Sequence, residues 1–163
     1  HTQAYFNCLI NTDEAKKNSA LLKELIHNLR SIGSEQSIEM SNIAEAIFEA
    51  KINDSEVTAF DKIKDCIAIY PENHYPLLAA CDIALKFNNL EEFESALEEL
   101  LKISKNNHIS QRSLNRYRAL SAALKGDEGA ALSLIRDDIN RYPEESRQRT
   151  TRMICEFAKR GRT

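Results

Sequence analysis

Tryptophan is absent from this 163-residue chain, and glycine and proline are scarce, at four and three residues. An all-β domain uses those two residues freely in its turns, so their scarcity argues for helices. Cysteine is sparse as well: Cys8, Cys66, Cys81 and Cys155. No two of them form a C-x2-C pair, and no histidine stands at metal-ligand spacing from any of them, so no zinc site is written here and no metal or cofactor is expected. The four glycines, Gly33, Gly126, Gly129 and Gly161, make no phosphate-cradling loop. No apolar run approaches the roughly 18 residues that cross a bilayer, so no membrane span is expected. No signal-peptide core is visible either. The chain begins with His1 instead of Met, so the expectation is a fragment or processed chain, with a leader upstream left open.

What is present suits helices. The sequence is 42% hydrophobic and 29% charged, and Leu, Ala, Glu, Lys and Ile dominate it. Net charge is −3, unevenly spread: residues 146–163 hold six Lys/Arg against one Glu, which leaves −8 on the rest. That body is no nucleic-acid surface; only the basic end could serve one. Cys66 and Cys81 fall among apolar helix positions and read as core thiols, which fits a reducing, cytoplasmic setting.

Apolar spacing predicts about eight helices joined by short turns. Residues 1–12 read as the end of a helix. Residues 14–32 carry Leu21, Leu22, Leu25, Ile26 and Leu29 as one stripe, stopped by Gly33. Residues 36–52 follow, and Asp54 and Ser55 offer a cap for a helix that ends before Pro71. His74 to Phe87 comes next, and Asn89 with Glu92 looks like a capping box for a helix bearing Leu90, Phe93, Leu97, Leu100 and Leu101. Residues 111–125 end at Gly126, and 128–141 follow. A last helix after Pro143 presents Met153, Ile154 and Phe157, with Arg147, Arg149, Arg152 and Lys159 around it. No low-complexity linker divides the chain, so one domain, 1–163, is expected.

A spacing recurs among these helices. Ala59, Ile63, Cys66 and Pro71 are followed 34 residues later by Phe93, Leu97, Leu100 and Lys105, and then by Ala131, Ile135, Asp138 and Pro143. These residues resemble the second helix of the tetratricopeptide (TPR) repeat, whose 34-residue unit is a pair of antiparallel helices. The resemblance covers residues 40–145, with units at 40–73, 74–107 and 112–145. It implies an all-α, right-handed solenoid of about three TPR-like hairpins, with N-terminal helices over 1–39 and a capping helix over 144–163. In the first helix of each unit, Ala50, Ala84 and Ala122 stand where the family usually has tyrosine, which implies closer or differently tilted packing. An ordinary helical bundle of amphipathic hairpins would give similar periodicity and stays open.

No nucleophile–base set stands out. His27 reads as a solvated residue, His74 and His108 as helix-start residues, and the Glu91–Glu99 run as a solvated face. The expectation is therefore a non-enzyme. The resemblance places the binding surface on the first helix of each unit, facing a concave groove. Carried over by position, it nominates Phe48, Tyr75, Asp82, Lys86 and Arg116, with Tyr117 adjacent, as contacts for a protein or peptide partner. The clamp that some members use on a C-terminal carboxylate is not expected, because Ala44 and Phe48 occupy its positions. Two alternatives remain open: an accessory domain of a larger enzyme, such as a transferase, and a binder of nucleic acid or anionic surfaces through the basic end. Oligomeric state and partner identity are not written in the sequence.

Overall fold

The fold is described from a computed structural model covering residues 2–12, 14–105 and 111–141. Among the described residues every regular element is a helix, and no strand occurs. The chain separates into two compact units, residues 1–105 and 106–163.

The first unit contains α1 (Thr2–Ile10), α2 (Ser19–Ser31), α3 (Glu35–Lys51), α4 (Glu56–Ile69), α5 (His74–Phe87) and α6 (Leu90–Ile103). The expected helix over 14–32 starts late. Residues 14–18 form turns, and the Asn18 side chain donates to the Glu14 carbonyl at 3.1 Å, just after Thr12 donates to the Leu9 carbonyl at 2.8 Å. Such local side-chain bonds offer the backbone an alternative to continuous helix. The other predicted helices of this unit stand within about two residues of their expected bounds.

Consecutive helices pack on each other, α3 with α4 and α5 with α6 most extensively. The first helices of successive pairs also touch: α1 meets α3, and α3 meets α5. Helix α3 thus has α1, α2, α4 and α5 as neighbours, and it buries residues around most of its circumference, from Ser37 and Glu39 to Ala46, Phe48 and Ala50. One core cluster joins Phe6 and Ile10 of α1, Leu22, Leu25 and Ile26 of α2, and Ala44 and Phe48 of α3. Each large side chain fully removed from water there contributes about 1.5–3 kcal/mol before its ordering cost. Farther along, Ile63 and Cys66 of α4, Cys81 and Ala84 of α5, and Phe93 and Leu100 of α6 are buried. Ala50 and Ala84, two of the three alanines standing in for tyrosine, are among the most buried residues, whereas Ala122 is only half-buried.

The second unit pairs α7 (Gln111–Leu124) with α8 (Glu128–Arg141), burying Leu114, Tyr117, Ala119, Leu120, Ala131 and Ile135. The expected capping helix over 144–163, and Cys155 within it, lie outside the described residues.

One turn design joins the two helices of successive pairs. Asn88 takes a left-handed φ of 56°, and Asn89 caps α6 by accepting from the Glu92 N–H at 3.2 Å. Gly126 takes φ 79°, and Asp127 caps α8 by accepting from the Ala130 N–H at 2.9 Å. In both turns the cap residue's own N–H returns to a carbonyl five residues back, Asn89 to Ala84 and Asp127 to Ala122, each at 2.9 Å. Asp54, at φ 56°, holds the same place before Ser55 at the start of α4. That turn is looser: the Ser55 N–H reaches back to Glu49 at 3.0 Å, and Ser55 makes no side-chain cap bond. Left-handed backbone is cheap for glycine and tolerable for Asn and Asp, which is why these three residue types stand there.

Glu39 is an outlier in the packing: a buried carboxylate on α3 whose partner is the side-chain amide of Asn73, the residue that caps α5. Burial raises its pKa above the ordinary 4.5; the Asn73 hydrogen bond opposes this, and Glu35 reinforces it. A raised acid pKa means the folded state holds the proton better than the unfolded one. The penalty is therefore absent below the unfolded value and complete once pH has risen through the folded value. Glu39→Gln removes the charge and keeps a carbonyl acceptor. It is expected to raise the thermal midpoint at pH 7. Below about pH 4.5 the advantage over the parent should vanish; an advantage unchanged at pH 3.5 would show that charge is not its source.

The two interior thiols are as expected. Cys66 and Cys81 are buried and free, whereas Cys8 is exposed. Burial, aided by Asp65, pushes the Cys66 thiol up to about 11. A thiol reagent at pH 7.5 should modify Cys8 at once and leave Cys66 and Cys81 untouched until denaturant is added. Mass mapping of the early product tests this, and early label on either interior cysteine would contradict it.

Candidate binding surfaces

The six nominated contact residues do not share one environment. Phe48 belongs to the core: it is 4% exposed and packs in the α1–α2–α3 cluster, with the Lys23 ammonium 5.6 Å from its ring centre. Tyr117 is likewise buried, at 3% exposed, with the Arg116 guanidinium 5.3 Å from its ring centre. Neither ring is presented as a surface anchor. Arg116 is exposed on α7, in the second unit.

The other three share one stripe of α5. Tyr75, Asp82 and Lys86 are spaced by seven and then four residues, which puts them along one helix face. Tyr75 is 47% exposed, and its ring lies 4.2 Å from that of His74. Its position is fixed at the helix start, where its backbone N–H donates to the Asn73 cap at 3.0 Å. Asp82 is exposed at mid-helix. Lys86, in the last turn, reaches the carboxylate of Asp54 in the α3–α4 turn and lies 4.3 Å from the Phe87 ring centre. The hydrogen bond and the charge of Lys86 hold the Asp54 carboxyl below its ordinary value. Elsewhere on these helices, Leu85 of α5 and Leu120 of α7 are buried and Leu78 of α5 is half-buried.

Polar ties also join α6 and its cap to α4. Asn89 donates from its side chain to Glu56 at 2.9 Å, and Lys64 pairs with Glu92 at 2.6 Å. Exposed pairs of this kind contribute little each, roughly 0–1 kcal/mol, but they fix the register between helices.

A second feature was not legible beforehand. A cleft of about 320 Å³ lies among α2, α3 and α4, lined by Lys23, Ile26, His27, Arg30, Glu45, Phe48, Glu49 and Lys62. Glu45 is its hub, paired with Arg30 at 2.9 Å and Lys62 at 3.1 Å. Burial pushes the Glu45 carboxyl up, but the hydrogen bonds and charges of Arg30 and Lys62 outweigh it and hold the group below the ordinary 4.5. The available signal was the spacing of Lys23, His27 and Arg30 at four and three residues on the polar side of α2; nothing in the sequence tied it to Lys62.

Among the described residues, no group of three or more His, Cys, Asp or Glu side chains could hold a metal ion. No helix among them is long and apolar enough to cross a membrane. No family model, curated protein or solved structure matches the chain.

Proposed function

We propose that this chain is a non-catalytic interaction module built from TPR-like helical hairpins, and that it takes a peptide or helix of a partner protein along the exposed face of α5. The observation that carries this reading is the recurrent turn. Left-handed residues at Asp54, Asn88 and Gly126, each one residue before a helix cap, stand 34 and 38 residues apart. The first interval equals the family's repeat length, and the second adds a four-residue insertion between units. The contacts of α1 with α3 and of α3 with α5 further support stacked hairpins, in which first helices line a common side. In the same reading the repeats act as one domain arranged as a right-handed solenoid. The buried free thiols of Cys66 and Cys81 fit a reducing compartment such as the cytoplasm.

On this surface Tyr75 supplies a half-exposed ring, and Asp82 and Lys86 supply opposite charges along the same stripe. Aromatic and basic residues of this kind dominate binding energy when a partner covers them. The test is selection of a displayed peptide library on the full chain, followed by affinity measurement with Tyr75→Ala and Lys86→Glu. Loss of about 1–3 kcal/mol with Tyr75→Ala, at unchanged melting temperature, is the expected result. Selected peptides that bind both variants as well as the parent would remove α5 as the surface.

A further inference from the structure

We infer that the cleft among α2, α3 and α4 is a binding site for a small phosphate monoester. The cleft is separate from the α5 stripe and the inference does not rest on the interaction-module reading. Three observations support it.

The first is charge. Lys23, Arg30 and Lys62 face the cleft against Glu45 and Glu49, an excess of one positive charge before His27 is counted, in a chain of net −3. Glu45 is already shared by two cations, and Glu49 accepts from the Asn53 amide at 2.7 Å. Lys23 has no ion pair among the described residues; its one recorded contact is the Phe48 ring at 5.6 Å. An arriving anion therefore finds one lysine without a carboxylate partner and a second that shares its carboxylate with Arg30.

The second is geometry at Arg30. Its Nη1 serves Glu45, its Nη2 donates to Asn42 at 2.8 Å, and its Nε donates to Ser41 at 3.3 Å. The planar fork that grips a carboxylate in two parallel bonds is occupied. What remains are the compact ammonium charges of Lys23 and Lys62. They match a phosphate, whose nearly double charge and three acceptor oxygens need no fork.

The third is shape. An open cleft of about 320 Å³ bordered by three helices has room for a small molecule.

The experiment is a titration of the isotope-labelled full chain with phenyl phosphate, read by amide shifts, at fixed ionic strength. Saturable shifts at residues 23–30, 45–49 and 62 are expected, with a Kd on the order of 1 mM for so small a probe. Lys23→Ala should weaken binding about fivefold. Lys17→Ala, which removes the same charge from the α1–α2 connection where Lys17 pairs with Glu14, should leave it unchanged. Because Lys23 is exposed, its loss should not alter the fold, and the unliganded spectrum checks this. Shifts that do not saturate, or equal weakening by Lys17→Ala, would overturn the site. Benzoate binding as tightly as phenyl phosphate would overturn the phosphate assignment. A phosphotyrosine peptide binding about tenfold or more tightly than phenyl phosphate would overturn the small-molecule reading and assign the cleft to a protein partner.

Discussion

Replacing Phe93 with alanine is expected to lower stability by about 3–5 kcal/mol, a large share of the 5–15 kcal/mol typical of a whole domain. Phe93 is fully buried on α6, at 0% exposed, in the most extensively packed helix pair of the first unit. Helix α5, which packs against α6, buries Leu77, Ile83 and Leu85 together with the smaller Ala80, Cys81 and Ala84. Truncating the ring leaves a void that alanines cannot fill, and the surrounding backbone can relax only in part. Urea unfolding followed by circular dichroism measures the loss. A change below about 1 kcal/mol would mean that the α5–α6 contact is looser than described.

Tyr117→Ala is expected to cost about 3 kcal/mol or more, again through the fold. The resemblance places Tyr117 beside the partner contacts, but its ring is buried, so its loss acts on the fold. The contrast is with Tyr75→Ala, where half the residue is already in water and the stability change should stay within about 0.5 kcal/mol. Parallel melting curves of the two variants decide the matter: a sharp fall for Tyr117→Ala with none for Tyr75→Ala is the predicted pattern. Near-parental melting for Tyr117→Ala would return Tyr117 to the list of surface residues.

These two tyrosines show where the sequence could be read and where it could not. Helix ends were legible because they carry their own chemistry: Gly33 and Gly126 at left-handed stops, Asn89 bonded to the Glu92 amide, Pro71 beyond α4. Helix phase was legible only where a helix has a wet side. On α6, with its strong amphipathic stripe, Phe93, Leu97 and Leu100 face inward as the spacing implies. On α3, which has four helical neighbours, polar Ser37, Glu39 and Ser41 are buried together with Phe48, so polarity did not mark the buried side. The cleft residues were missed for another reason. Lys23 and Lys62 are ordinary lysines in their own helices and come to line one cleft only through packing.

The helix pairs that pack in the first unit are consecutive or one apart along the chain, α3 with α5 being among the most separated. This order has a consequence in time. Bringing such helices together closes only short loops, and the entropy of loop closure is the main brake on folding rate. Residues 1–105 should therefore refold in the microsecond-to-millisecond range typical of chains rich in local contacts. Each pair can form before the next has arrived, and α1, which packs chiefly on α2 and α3, can detach and return without dissolving the pairs beyond it.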